Sequence, residues 1–75
     1  MKLYLVEVYV GNYTITAIGD SPANTIKALV KEYRNQFGTF RENGFKNKAD
    51  WLDYHGLSED GDGLHEFTVN TAVTH

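Results

Sequence analysis

The chain has 75 residues, a formal net charge of −3 and no cysteine, and 41% of its residues are hydrophobic. This length accommodates one domain, residues 1–75, and the lack of cysteine excludes disulfides and thiolate metal sites. The longest apolar stretch, residues 3–10, is interrupted by Glu7 and is far shorter than the ~20 residues of a membrane-spanning helix. It also lacks the features of a signal peptide, so we expect a soluble, cytoplasmic protein.

The first predicted element is a β-hairpin formed by residues 3–10 and 13–18. Gly11 and Asn12 between them form a two-residue connection typical of tight hairpin turns. Because side chains alternate along a strand, this turn sets both faces of the hairpin. One face carries the apolar residues Val6, Val8, Val10, Tyr13, Ile15 and Ala17. The other face carries Leu3, Leu5, Glu7, Tyr9, Thr14, Thr16 and Ile18.

A helix is predicted over residues 22–37. Ser21 can cap it, Pro22 suits the first helical position, and Gly38 follows where a glycine commonly ends a helix. Its apolar stripe, which can cover the valine face of the hairpin, consists of Ile26, Leu29, Val30, Tyr33 and Phe37. A second stripe, pointing away from the core, consists of Lys27, Lys31 and Arg34.

The remaining chain predicts a loop, a short helix and a third strand. Phe40 and Phe45 lie in the polar connection, which we expect to pack over the core. The second helix, residues 48–55, has Asn47 as its cap and His55 at its C-terminus, where the helix dipole favours a histidine. Its inward stripe consists of Trp51, Leu52 and His55. Residues 64–73 alternate as a strand, with one face formed by Phe67, Val69, Thr71 and Val73.

The order ββααβ predicts an α+β fold with a three-stranded antiparallel sheet and helices packed on one of its faces. The residues predicted to be buried together are Val8, Ile15, Leu29, Tyr33 and Phe67. The second hairpin face then has an apolar group without assigned cover, formed by Leu3, Leu5, Tyr9 and Ile18. Three explanations stay open: cover by the 40–45 loop or the Trp51 helix, a homodimer, or a protein partner. Intermolecular use is favoured, because one short helix does not easily reach both faces.

Patterns that would indicate catalysis or metal binding are weak. Asp60 and Asp62 resemble the start of a calcium loop, but Val69 stands where a bidentate glutamate is needed. The three histidines are ten residues apart, which is not the spacing of a zinc pair. Asp50 and Asp53 could form a carboxylate pair, although a solvated helix face is the simpler interpretation. We therefore expect a non-enzyme without cofactor or metal.

Charge is segregated along the chain. Residues 27–48 contain six basic residues and two acids, whereas residues 49–66 contain six acids and no lysine or arginine. Solvated surfaces that pair within the fold would explain this pattern, and so would polar binding surfaces. The best nucleic-acid candidates are Lys27, Lys31 and Arg34, joined by Arg41, Lys46 and Lys48. Some acids could present carboxylates to a basic partner surface, as a nucleic-acid mimic does. They are Asp50, Asp53, Glu59, Asp60 and Asp62.

The ten residues from Ala17 to Ile26 include a Gly-Asp-Ser turn that launches a helix from a strand. This stretch is similar to HicB-like antitoxin domains, in which a sheet-plus-helix fold binds a toxin. The chain also looks like compact phage or mobile-element proteins that bind one host protein. These resemblances imply a protein-binding inhibitor of a host defence or nuclease protein, of the anti-CRISPR kind, in the host cytoplasm. An antitoxin-like or nucleic-acid-associated regulator that uses the basic helix is the second hypothesis.

Overall fold

The structure, a computed structural model, describes residues 1–68. Its elements are strand β1 (Lys2–Val10), strand β2 (Tyr13–Gly19), helix α1 (Pro22–Phe37), a 3-10 turn (Arg41–Asn43), helix α2 (Lys48–Tyr54) and strand β3 (His65–Thr68). The strands form an antiparallel sheet in the order β2-β1-β3. The predicted α+β class and element order are confirmed. The predicted strand positions 69–73 lie outside the described residues.

The hairpin has the register that its turn predicts. Gly11 has a φ of 59°, a left-handed conformation that glycine adopts without steric cost. Val8 pairs with Ile15 and Val6 with Ala17, and all four side chains are buried on one face of the sheet. Turn chemistry and hydrophobic alternation thus specify the same pairing, which is why the sequence predicts it correctly.

Helix α1 begins and ends at the residues expected from its sequence. The Ser21 hydroxyl accepts a hydrogen bond from the Asn24 amide at 3.1 Å, Pro22 occupies the first turn, and Gly38 ends the helix. Thr25 is fully buried, and its hydroxyl donates to the Ser21 carbonyl at 2.7 Å. This buried threonine, which the apolar pattern does not reveal, places the first turn of α1 against the sheet.

The core lies between the helix face of the sheet and the two helices. At its centre Tyr33 contacts three aromatic rings: its centroid lies 5.3 Å from that of Phe37, 5.5 Å from that of Phe40 and 4.4 Å from that of Trp51. Leu52 is also buried there. The aromatic cluster joins α1, the polar connection and α2, so the expected packing of the 40–45 loop over the core is confirmed.

Phe67 is not part of this core, and the prediction that it is buried with Val8 and Leu29 is wrong. It pairs with Leu3 across β1 and β3, and directly opposed residues point to the same face. Leu3 belongs to the face opposite the helices, so Phe67 lies there too. Its ring stacks on that of His65, with centroids 6.1 Å apart.

The imidazole of His55 is partly buried at the C-terminal end of α2. Its ring lies edge-on to Trp51, with centroids 4.8 Å apart, and burial lowers the pKa of His55. Desolvation disfavours the charged form of the imidazole. The folded state binds this proton less readily than the unfolded state, so the free energy of unfolding should fall as the pH drops below about 6.5.

Urea unfolding at about pH 7.5 and about pH 5 measures this effect. We expect His55→Gln to lose less stability on acidification than the parent chain. An equal loss of stability in His55→Gln and the parent would show that His55 does not contribute.

Candidate functional site

The face of the sheet opposite the helices carries an apolar cluster on all three strands. Leu5 in the central strand lies between Ile18 of β2 and His65 of β3, and Leu3 lies beside Phe67. Ile18 is 54% exposed, and the others are half-buried or exposed. We call the surface formed by Leu3, Leu5, Glu7, Tyr9, Thr14, Thr16, Ile18, His65 and Phe67 the open sheet face.

The other end of the open sheet face is polar and organised around Glu7. The Tyr9 hydroxyl donates to one Glu7 oxygen at 2.8 Å, and the Thr16 hydroxyl donates to the other at 3.3 Å. The bond to Glu7 and the charge of Glu7 raise the pKa of Tyr9, so the phenol stays a donor. Tyr9 itself is 68% exposed. These contacts hold the carboxylate in place beside an aromatic ring in solvent.

The explanation in which other parts of the chain cover this face is excluded for residues 1–68. Phe40 and Trp51 are both buried in the core on the helix side of the sheet. Phe45 packs against the same core and against the ring of Tyr54, at a centroid distance of 5.4 Å. Neither the 40–45 loop nor α2 therefore reaches the open sheet face, so the first explanation fails for the described residues, and the homodimer and the protein partner stay open.

A second surface lies on the helix side, between α1 and the connection that leads into α2. Two adjoining cavities of about 550 Å³ each form a trough there. The structure brings six of the seven basic residues of the chain to this one feature. We call it the basic trough, and its cations are Lys27, Lys31, Arg34, Arg41, Lys46 and Lys48.

Carboxylates of the described residues neutralise the basic trough only in part. Lys48 pairs with Glu59 at 3.8 Å, and within residues 1–68 Glu59 is the one carboxylate among the lining residues. The other five cations form no ion pair with any described residue. The remaining basic residue, Lys2, lies on the sheet and pairs with Glu66 at 3.2 Å.

The predicted acidic segment does not form one surface. Asp50 accepts a hydrogen bond from the Lys46 amide at 3.0 Å, and Glu59 faces Lys48 in the basic trough. Asp60 and Asp62 line a separate cavity beside Pro22. The Ser58 hydroxyl donates to Asp60 at 2.6 Å and lowers the pKa of that carboxyl. Three of these acids thus have local structural partners, and Asp53 is exposed on α2.

In the part of the chain that the structure describes, no group of three or more histidine and acidic side chains is arranged to hold a metal ion. The segment with Asp60 and Asp62 is a turn in which the Gly61 amide donates to the Ser58 carbonyl at 3.1 Å.

Among residues 1–68, neither helix has the length and apolar character needed to cross a membrane.

Comparison of the chain with protein-family models, with curated proteins and with solved structures found no match. The similarity to HicB-like domains and phage proteins therefore stays a prediction. The two surfaces with features of binding sites are the open sheet face and the basic trough.

Proposed function

We propose that this protein is a non-enzymatic binding module that engages a partner protein through the open sheet face. The supporting observation is the apolar cluster around Leu5 and Ile18, which neither the 40–45 loop nor α2 covers and which lies next to a carboxylate held by Tyr9 and Thr16. Contiguous apolar surface rimmed by polar groups is typical of protein interfaces. Tyr9 adds an exposed aromatic ring of the type enriched among residues that dominate binding energy.

The chemistry of the face supports a partner surface that combines apolar and basic side chains. Its apolar end fits aliphatic or aromatic side chains, and the Glu7 carboxylate fits an arginine or lysine next to them. A second copy of the chain is a poorer fit. Glu7 lies near the middle of the central strand, so a symmetric dimer whose axis passes near this point would bring two such carboxylates together. The described part of the face offers no lysine or arginine to compensate them.

We further propose that binding inhibits the partner by occlusion, as in a phage-encoded inhibitor of a host nuclease or defence protein that acts in the host cytoplasm. Two considerations support this hypothesis. A 75-residue chain has little room for a catalytic cleft but enough surface for a standard interface of about 800 Å² per partner. Nucleic-acid-processing proteins display the arginine and lysine side chains that Glu7 can bind.

Selection from a random peptide library tests the proposed surface without knowledge of the natural partner. We expect selected peptides to combine apolar residues with arginine or lysine. The double variant Leu5→Ser with Ile18→Thr should bind them about 30-fold more weakly, the effect of losing about 2 kcal/mol at an interface hot spot. Glu7→Gln should reduce the preference for basic peptides.

Two controls make this experiment decisive. Lys27→Gln alters the basic trough on the other side of the sheet and should leave peptide affinity unchanged. Circular dichroism should show that the Leu5 and Ile18 variant is still folded. Peptides that bind this variant and the parent equally, or that show no basic preference, would refute the proposed site. Self-association of the parent that the same substitutions abolish would instead identify a homodimer face.

A further inference from the structure

We propose that the basic trough is a second binding site, which takes the phosphate backbone of a nucleic acid largely independently of base sequence. The inference goes beyond the proposed protein-binding function and does not depend on it, because the trough lies on the helix side of the sheet. Its basis is the convergence of six cations from three separate chain segments on one concave surface.

The trough has two cationic walls. Along α1, Lys27, Lys31 and Arg34 follow one another at spacings of four and three residues, so they form one row about 10 Å long. The facing wall is formed by the 3-10 turn, the loop and the start of α2, which contribute Arg41, Lys46 and Lys48. The two cavities share four lining residues and are therefore parts of one trough. The shared residues are Val30, Arg34, Thr39 and Lys48.

The electrostatics of the trough favour a ligand with several negative charges. Five of the six cations form no ion pair with a described residue, so an external polyanion can bind them without first breaking a salt bridge. Among the described residues Glu59 is the one acid that lines the trough, and two more carboxylates lie at its edge. Glu42 accepts from the Thr39 hydroxyl at 2.9 Å and Asp50 from the Lys46 amide at 3.0 Å, so six cations face three acids there. At ordinary salt concentrations, screening weakens the electrostatic interaction of the trough with acids more than about 10 Å away.

A phosphate chain suits this site better than an acidic protein does. The row of cations along α1 suits the regularly spaced anions of a phosphate chain, whereas acidic proteins carry carboxylates irregularly among other side chains. Arg34 can also donate two parallel hydrogen bonds to one phosphate. The aromatic residue in the lining, Phe40, is only 9% exposed, so it offers no face on which a base could stack. The trough therefore recognises backbone, with little dependence on sequence.

Fluorescence anisotropy with labelled DNA measures this binding directly. We expect a homopolymeric and a mixed-sequence single strand of about 16 nucleotides to bind similarly. Five phosphate contacts give a slope of about −3.5 in a plot of log affinity against log salt for single strands. Affinity should then drop about 100-fold between about 50 mM and about 200 mM salt. Binding of a duplex of the same sequence should give a steeper slope of log affinity against log salt per phosphate contact, which distinguishes double-stranded from single-stranded DNA as the ligand.

A matched pair of variants assigns the binding to the trough. Replacing Lys27, Lys31 and Arg34 together with glutamine should reduce the magnitude of the slope by about 2, because three contacts are lost. Lys2→Gln removes the basic residue outside the trough and should change nothing. Thermal unfolding checks that the triple variant is folded. Leu5→Ser, on the open sheet face, should leave DNA binding intact, so the two proposals can fail separately.

Three results would overturn the inference. The first is no detectable DNA binding at about 50 mM salt. The second is an equal effect of Lys2→Gln and the triple variant. The third is binding of poly-glutamate as tight as that of DNA, which would identify a general anion surface rather than a phosphate-backbone site.

Discussion

Leu29→Ala should lower the free energy of unfolding by about 2–5 kcal/mol. Leu29 is 0% exposed and lies in the part of α1 that packs on the hairpin. Truncation removes buried methyl groups and leaves a cavity that neighbouring side chains fill only in part. A domain of this size has a total stability of only about 5–15 kcal/mol, so the loss should be evident in urea or thermal unfolding.

Lys27→Ala is the matched control for this experiment, because Lys27 is exposed on the same helix two residues away. Its effect should stay within about 0.5 kcal/mol. If the unfolding curves of Leu29→Ala and the parent chain coincide, α1 does not pack on the sheet as described.

Gly61→Ala should destabilise the protein by about 2–5 kcal/mol, from backbone strain and steric overlap together. Gly61 has a φ of 75°, which a residue with a side chain adopts only at a cost. An added Cβ would also lie 2.5 Å from the Cβ of Pro22, at the start of α1. The turn that contains Gly61 is thus packed directly on the first residue of the helix.

Gly63→Ala separates these two contributions. Gly63 has a similar φ of 84°, but a Cβ there would meet no atom within 4 Å. Its expected cost is the backbone strain alone, about 1–2 kcal/mol. Chemical unfolding of both variants compares them, and equal losses of stability would mean that Gly61 does not pack against Pro22.

Local rules suffice to predict the parts of the fold that short segments determine. The Gly11 turn sets the hairpin register, and Ser21, Pro22 and Gly38 set the bounds of α1. Each of these signals acts over a few residues, and the tertiary packing agrees with it. The open sheet face follows from the same register, which explains why its hairpin residues can be identified from the sequence.

The errors concern contacts between distant segments. No tight turn connects β3 to β1, so alternation alone leaves two choices for the face that Phe67 occupies. The observed pairing with Leu3 places Phe67 on the open sheet face, where it enlarges the apolar cluster. Helical spacing likewise predicts the α1 wall of the basic trough. The position of the facing wall depends instead on long-range contacts, in which Tyr33 of α1 packs against Phe40 and Trp51.

NMR chemical-shift mapping with a selected peptide tests most directly whether the open sheet face is the protein-binding site. Titration into isotopically labelled protein should shift the amide signals of Leu3, Leu5, Tyr9 and Ile18, while those of Lys27, Lys31 and Arg34 stay in place. Shifts confined to α1 and the basic trough, with the sheet signals unchanged, would contradict the proposed function.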